Sequence, residues 1–355
     1  MPHAEGYTEF TPDEYPPFPE GDFTTVELET ISLKKLLDED ATEQDRVFQT
    51  CKTRGFFYLE LAGCESGETI HKGADDVARV AERFFQLPQQ EKDAQRMQKG
   101  QLDGYKSVGA TVTDKTGTPD TAEFMNIAKN DMILPSSAKM SRTWPPLIMQ
   151  NQPLFDTYMR TAHSTGLKIL SILATHLGAK PEDFLSRHRL EESSGDIIRM
   201  TRGPPRKNAE MPEIQTPSHT DFGSITLLMN WLGGLQVWSE SARSAGPLEP
   251  DTPGEWVWVK PKRGHAIINL GDAAVKFTNG VLCSGRHRVV PSPGEQGKWP
   301  RYSIVYFVRP ENECMMEVLE GKEIPRPEQE EGSRISAREW IVQQAKGLGT
   351  KFPEN

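Results

Sequence analysis

Long apolar runs are missing from this chain. No stretch approaches the roughly 18 consecutive residues of a membrane-spanning helix. Basic excess is missing too. The 41 Lys and Arg stand against 51 Asp and Glu, a net charge of −10. That balance argues against binding along a nucleic-acid phosphate backbone and, more weakly, against any polyanionic ligand. Cysteine is scarce: Cys51, Cys64, Cys283 and Cys314 show no CxxC spacing. Neither a structural zinc site nor a disulfide scaffold is expected, and a reducing, cytoplasmic setting fits. The opening MPHAEGYTEFTPDEYPPFPEGDF has no basic segment followed by an apolar one, which speaks against a secretory leader. An internal repeat is also lacking. What is present is a chain of 355 residues, 36% hydrophobic and 26% charged, with enough apolar material for a real core.

The order of local patterns divides the chain. Residues 1–25 are acidic and carry Pro12, Pro16, Pro17 and Pro19, so they read as an extended arm. Residues 26–135 mix strands and helices. TTVELETISL (24–33) and GFFYLEL (55–61) read as strands, with a helix between them that stops at Gly55. The stretch 67–87 has helical periodicity through Val77, Val80, Ala81, Phe84 and Phe85, and Pro88 closes it. TAEFMNIAK (121–129) reads as a strand. Residues 136–194 form a bracing helical region, with a long helix from 153 to a stop at Gly178 and a short one over PEDFLSRH. From 195 to 325 the texture changes to short β-rich runs (IIRMTR, SITLLMN, LQVWS, EWVWVK, HAIINLG, RHRVV, YSIVYFV) separated by Gly, Pro and Asp. Such spacing predicts a jelly roll. A C-terminal helix over 332–349 completes residues 326–355. The expected fold is α+β: a double-stranded β-helix core with flanking N-terminal helices and a C-terminal helix, the helices covering one of its sheets.

Chemistry concentrates in the β-rich part. In Ser218-His219-Thr220-Asp221-Phe222, extended backbone sends alternate side chains to opposite faces, so His219 and Asp221 project together. They supply two thirds of a 2-His-1-carboxylate triad, the donor set of ferrous sites with open coordination positions. Either His287, in SGRHRVV, or His265, in RGHAIINLGD, can complete it. Fourteen residues after His287, RYSIVYF places Arg301 and Ser303 on one face of a strand. A guanidinium fork beside a hydroxyl is a cradle for a carboxylate, because it binds through two parallel charged hydrogen bonds. Arg199 and Thr201 share a face of an earlier strand, and Arg199 either touches a ligand or pairs with an acidic neighbour.

The ordered set His219-x-Asp221, His287-Arg-Val and Arg301-x-Ser303 resembles the iron(II)/2-oxoglutarate-dependent dioxygenases of the isopenicillin N synthase-like family. GFFYLEL, the AERFFQLPQQEK segment (81–92), GYKSVGA, TAEFMNIA and NLGD (269–272) resemble further signatures of that family in the same order, over roughly residues 24–325. The resemblance implies iron held by His219, Asp221 and His287, with His265 outside the set and Arg288 structural. It also implies that Arg301 and Ser303 hold the distal carboxylate of 2-oxoglutarate, and it allows ascorbate as a reductant. The implied activity is oxidation of a C–H bond by dioxygen, by hydroxylation, desaturation or ring rearrangement, on a small natural-product intermediate of secondary metabolism. Arg199, Thr201, Asn126, Phe124, Tyr105, Phe222, Met229 and Phe307 are the candidates for the substrate pocket. One departure stands out: many plant members carry Asn-Tyr-Tyr-Pro where this chain has Thr201-Arg202-Gly203-Pro204, so Gly203 replaces a tyrosine that helps hold the cosubstrate. That departure keeps open an oxidase that uses iron without 2-oxoglutarate. An inactive jelly-roll binding protein is the other alternative. The sequence carries no signal of oligomeric state.

Overall fold

The computed structural model describes residues 10–21, 23–113, 117–133, 140–206, 214–240, 254–327 and 334–346. Within them β1 (Thr30–Ser32), α1 (Leu33–Leu37), α2 (Ala41–Thr53), β2 (Phe56–Glu60), α3 (Glu65–Phe85), α4 (Gln89–Asp93), β3 (Gly104–Lys106) and β4 (Glu123–Ala128) come first. Helices α5 (Lys129–Ile133), α6 (Pro146–Gln150), α7 (Gln152–His176) and α8 (Pro181–Leu185) follow. The β-rich part holds β5 (Ile197–Gly203), β6 (Thr216–His219), β7 (Ile225–Asn230), β8 (Leu235–Trp238), β9 (Trp256–Trp258) and β10 (His265–Leu270). After α9 (Asp272–Phe277) come β11 (His287–Val289), β12 (Arg301–Val308) and finally α10 (Ala337–Lys346).

Two sheets make the expected jelly roll. One has eight strands in the order β1-β2-β10-β7-β12-β5-β4-β3, and the other has four in the order β6-β11-β8-β9. Helices α3 and α7 cover the outer face of the larger sheet. Ile70, Ala74, Val77, Ala81 and Phe84 of α3 recur at helical spacing and are buried, as are Tyr158, Ala162, Ile169 and Leu173 of α7. A fully buried large side chain of this kind contributes about 1.5–3 kcal/mol. The opposite face is turned toward the smaller sheet. There Phe56, Tyr58, Leu228 and Ile267 pack on Leu235, Val237 and Val257, an apolar plug between the sheets.

Strand alternation sorts the side chains between these two faces. On β12, Tyr302, Ile304, Tyr306 and Val308 join the helix-side core, leaving Arg301, Ser303, Val305 and Phe307 for the interior of the roll. Their cross-strand partners on β5 are Gly203, Thr201, Arg199 and Ile197. Continuing across the sheet, Phe124 pairs with Thr201 and Asn126 with Arg199.

Three expectations change in detail. The strand over 24–33 is broken: Thr25 bridges Trp258 of the smaller sheet, whereas Thr30–Ser32 pairs with β2 of the larger one. The segment crosses between sheets and cannot be one strand. The short helix after Gly178 ends at Leu185, because His188 turns inward to Ser224 (2.6 Å). The C-terminal helix begins at Ala337, where Ser336 and Glu339 cap each other's backbone N–H groups. Residues 332, 333 and 347–349 of that expected helix lie outside the described residues, as do 1–9 and 22 of the arm. The described arm, residues 10–21 and 23–25, has no helix or strand, but it is docked. Phe10 is fully buried against Trp231 and Tyr302, and its N–H reaches Glu82 (3.2 Å). Gly55 ends the turn after α2 at φ +70, and a Cβ there would lie 2.1 Å from the Cys283 carbonyl oxygen, so only glycine fits. No helix among the described residues is long and apolar enough to cross a membrane.

Candidate active site

β6 and β11 are neighbours in the smaller sheet, and His219 pairs directly with His287. Their rings lie 4.3 Å apart. The Asp221 Oδ1 atom is 3.7 Å from His219 Nε2 and 3.9 Å from His287 Nε2. The donor atoms of all three residues fall within 4.8 Å of one another, a spacing one metal ion can bridge. His265 is not in this group. It opens β10, four residues before Asn269, about 13 Å along the strand, with its Nδ1 on the Arg263 carbonyl.

The surrounding bonds orient each donor. His219 Nδ1 lies 2.8 Å from the Pro217 carbonyl, and His287 Nδ1 3.1 Å from that of Gly285. A carbonyl can only accept, so both Nδ1 atoms carry a proton, and in the neutral ring the lone pair is then on Nε2, facing the cluster. The Asp221 Oδ2 atom accepts from Thr226 Oγ1 (2.8 Å) and Asn269 Nδ2 (2.7 Å), which leaves Oδ1 for the cluster. Asp272, from the same NLGD turn as Asn269, accepts from Thr220 (2.8 Å) and donates its backbone N–H to the Asp221 carbonyl (2.8 Å). Burial, and then the proximity of His287, push the His219 imidazole down to about 4, so it is neutral near pH 7. Burial alone would raise the Asp221 carboxyl. The adjacent His287 and His219 rings and its two hydrogen bonds hold it below its usual value instead. Thr226, Asn269 and Asp272 escaped the sequence reading; strand pairing puts the first two on the interior face, Thr226 opposite Phe307 and Asn269 opposite Thr226.

Arg301 and Ser303 occupy the same interior face and are 2% and 4% exposed. Arg301 Nε donates to the Gly233 carbonyl (2.8 Å). Burial pulls its guanidinium down to about 10, and no acidic group among the described residues offsets this. The space beside Gly203 is taken. Gln215 fills it so closely that a Cβ on Gly203 would lie 2.3 Å from the Gln215 Oε1 atom. Gly203 is the cross-strand partner of Arg301, so this buried amide sits where the family tyrosine is missing. The sequence offered no signal for it: the β6–β11 register shifts between Thr216 and His219, so alternation from His219 does not reach back to residue 215.

A cavity of about 540 Å³ opens beside the triad, with His219 and Asp221 in its wall. Phe124, Asn126, Arg199, Thr201, Phe222 and Phe307 also line it. Two pocket candidates do not. Tyr105 pairs with Met125, which puts it on the helix side, where its hydroxyl donates to Glu123 (2.6 Å) and its ring meets Phe84. Met229 pairs with Ile304 and joins the same helix-side core. Arg199 has no carboxylate hydrogen-bond partner among the described residues. Its Nε donates to Asn126 Oδ1 (2.9 Å), and its guanidinium lies 4.1 Å from the Phe124 ring centroid. The Asn126 amide N–H in turn reaches the Leu102 carbonyl (2.6 Å), so Asn126 holds Arg199 in place. Arg288 is structural: it donates to Gln236 (2.8 Å) and stacks on Trp256.

Comparisons with known proteins show the family. Residues 28–147 match the family described as non-haem dioxygenase in morphine synthesis N-terminal, and residues 194–310 match the 2OG-Fe(II) oxygenase superfamily. A 2-oxoglutarate-dependent dioxygenase of Aspergillus fumigatus is 34% identical over 319 residues, covering 87% of this chain and 81% of that protein. The 2-oxoglutarate-dependent dioxygenase frbH of a Dothideomycetidae species is 28% identical over 314 residues, covering 88% of each. The fold is shared with a full-length Neurospora crassa protein crystallised in complex with alpha-KG, at a TM-score of 0.72 and 22% identity over 92% of this chain and 99% of that one. With this likeness running through both halves of the sequence, the chain belongs to the iron(II)/2-oxoglutarate-dependent dioxygenases, enzymes that couple 2-oxoglutarate decarboxylation to oxidation of an organic substrate.

Proposed function

We propose that His219, Asp221 and His287 hold one ferrous ion, and that Arg301, Ser303 and Gln215 hold the distal carboxylate of 2-oxoglutarate. The observation that carries this reading is the commitment of the outer atoms. Both Nδ1 atoms and the Asp221 Oδ2 atom are bonded away from the cluster, leaving three donors free on its inside. Two imidazoles and a carboxylate suit ferrous iron. When bound, iron and 2-oxoglutarate together supply the oxidant, drawn from dioxygen, that attacks a substrate C–H bond and leaves succinate and carbon dioxide. The chain's own work is binding, orientation and exclusion of water. His219 stays unprotonated near neutrality, so no proton competes with a metal for its Nε2. Arg301 is anchored by one N–H on Gly233, and its remaining donors serve an anion. The cavity beside the triad gives a substrate room next to the metal donors.

The substrate is read as a small natural-product intermediate, since about 540 Å³ is ordinary for a small-molecule site. The division at 1–25, 26–135, 136–194, 195–325 and 326–355 is read as one of regions within a single unit, since 26–135 and 195–325 contribute strands to one shared sheet. Four free cysteines support a reducing, cytoplasmic setting. Anaerobic titration with iron(II) and then 2-oxoglutarate tests the central reading. A visible charge-transfer band should appear only when both are present, and its absence would sink the assignment.

Two smaller effects follow. His265→Ala should leave iron content at the wild-type level, measured by metal analysis after desalting, because its ring bonds Arg263 far from the cluster. Gln215→Ala removes one amide beside the carboxylate site. A hydrogen bond to a charged group contributes about 1.5–3 kcal/mol, so the 2-oxoglutarate Kd should rise roughly tenfold or more. An unchanged Kd would leave Gln215 as mere packing over Gly203.

A further inference from the structure

Past Phe307 the same strand alternation brings one more interior residue, Arg309, into the cavity wall beside Arg199. The two guanidiniums flank the Phe307 ring, at 5.1 Å (Arg199) and 4.9 Å (Arg309) from its centroid. Each is sparsely bonded. Arg199 donates through Nε to Asn126, and the Arg309 side chain donates through Nη1 to the Gly195 carbonyl. The Nε of Arg309 is buried with no partner among the described residues. Burial, with the charge of Arg309 second, pulls Arg199 down to about 10, and burial does the same to Arg309, although the charges of Asp221 and, for Arg309, Asp196 act in the other direction.

The acids nearby are already engaged. In the cavity wall Asp120 is paired with Lys106 and accepts from the N–H groups of Gly109 and Thr111. Asp221 belongs to the triad. Behind the wall, Asp196 accepts from the His163 ring (3.1 Å), the Tyr306 hydroxyl (3.1 Å) and the backbone N–H of Arg309 (2.7 Å), not from the Arg309 guanidinium. Two buried cations thus face the cavity with most of their donors unspent and with no direct carboxylate hydrogen bond to either guanidinium among the described residues. Buried charge of this kind is costly unless a counter-charge arrives. A carboxylate is the planar acceptor that guanidinium forks match.

We infer that Arg199 and Arg309 form a carboxylate subsite, so that the organic substrate is a small, mostly apolar acid bound as its anion. This rests on the reading of His219, Asp221 and His287 as the metal site, since that puts the substrate in this cavity. The carboxylate could also come from 2-oxoglutarate itself, and the experiment separates the two sources. The full chain is loaded anaerobically with iron(II) and saturating 2-oxoglutarate, and formation of the visible band is checked. Calorimetric titrations then compare acetate, phenylacetate, 3-phenylpropionate and cyclohexaneacetate with their primary amides. The acids with a ring should bind at least about tenfold tighter than their amides. Arg199→Met and Arg309→Met should each erase that preference while leaving 2-oxoglutarate affinity within about twofold and the circular dichroism unchanged. Arg199→Lys and Arg309→Lys keep the charge without the fork and should fall between. Acids and amides binding alike, or neither binding, would overturn the subsite. So would loss of 2-oxoglutarate affinity in the Met variants, which would assign the arginines to the cosubstrate. If the band forms and the acid preference is absent, the subsite alone falls; if no band forms, the metal reading falls and the subsite with it.

Discussion

His219→Ala and His287→Ala are each expected to abolish turnover and to lower iron affinity by more than about 100-fold. The scale comes from the groups behind the ligands: removing an orienting partner alone typically costs about 10–100-fold in metal affinity. Loss of a donor atom must exceed that. Thr226→Val and Asn269→Ala, which strip the bonds from the Asp221 Oδ2 atom, should fall inside the smaller range. The fold should survive these changes. Asp221 keeps its hydrogen bonds from Thr226 and Asn269 when a ligand ring is removed, so its buried carboxylate is not left without partners. Metal content by elemental analysis, alongside the thermal midpoint, separates the outcomes. A His287→Ala protein that keeps its iron would mean that another residue completes the site.

Arg301→Ala is expected to weaken 2-oxoglutarate binding by two to three orders of magnitude. Breaking one side of a buried charged pair costs about 3–5 kcal/mol, and every 1.4 kcal/mol is tenfold in affinity. The turn that Arg301 touches should hold without it, because the Gly233 carbonyl also accepts from the Ser292 hydroxyl (3.0 Å). Arg301→Lys should lose much of the affinity as well. Lysine has no Nε to anchor on Gly233 and presents a point charge where a fork is needed. Ser303→Ala removes one hydrogen bond to a charged group, about 1.5–3 kcal/mol, and should be the mildest of the three. Intensity of the charge-transfer band against 2-oxoglutarate concentration gives each Kd. If Arg301→Ala leaves that Kd unmoved, Arg301 is a structural residue bracing the 231–234 turn, and the cosubstrate carboxylate is held elsewhere.

Much of the site follows from a rule that acts over two residues. Backbone sterics and the pleat alternate side chains along any extended segment, so His219 with Asp221, Arg301 with Ser303, and Arg199 with Thr201 share faces whatever the rest of the chain does. The helices α3 and α7 are equally local in origin, since apolar residues recur at the helical period and Pro88 and Gly178 end them. Alternation is relative, however, and does not say which face points inward. For Tyr105 and Met229 the answer came from strand pairing: Tyr105 lies opposite Met125 and Met229 opposite Ile304, both on the helix side. A slip of one residue would reverse every such assignment, and burial of the helix-facing half decides against the slip.

The same limit explains why His265 and His287 looked alike as sequence. Each enters a β-rich run. Only the pairing of β11 with β6 brings the His287 ring to 4.3 Å from His219, while β10 takes its place in the other sheet. Gln215 over Gly203, Phe10 of the arm under Trp231 and Arg309 beside Arg199 are likewise contacts between distant parts of the chain. The sequence by itself determined the jelly-roll texture, the helical cover and the residue types able to hold iron and a carboxylate, because these rest on local periodicity and side-chain chemistry. The tertiary structure alone decided which histidine comes to lie beside His219 and Asp221, which pocket candidates face the cavity and which side chain fills the space beside Gly203. Those depend on register and sheet pairing, and a short-range pattern constrains neither.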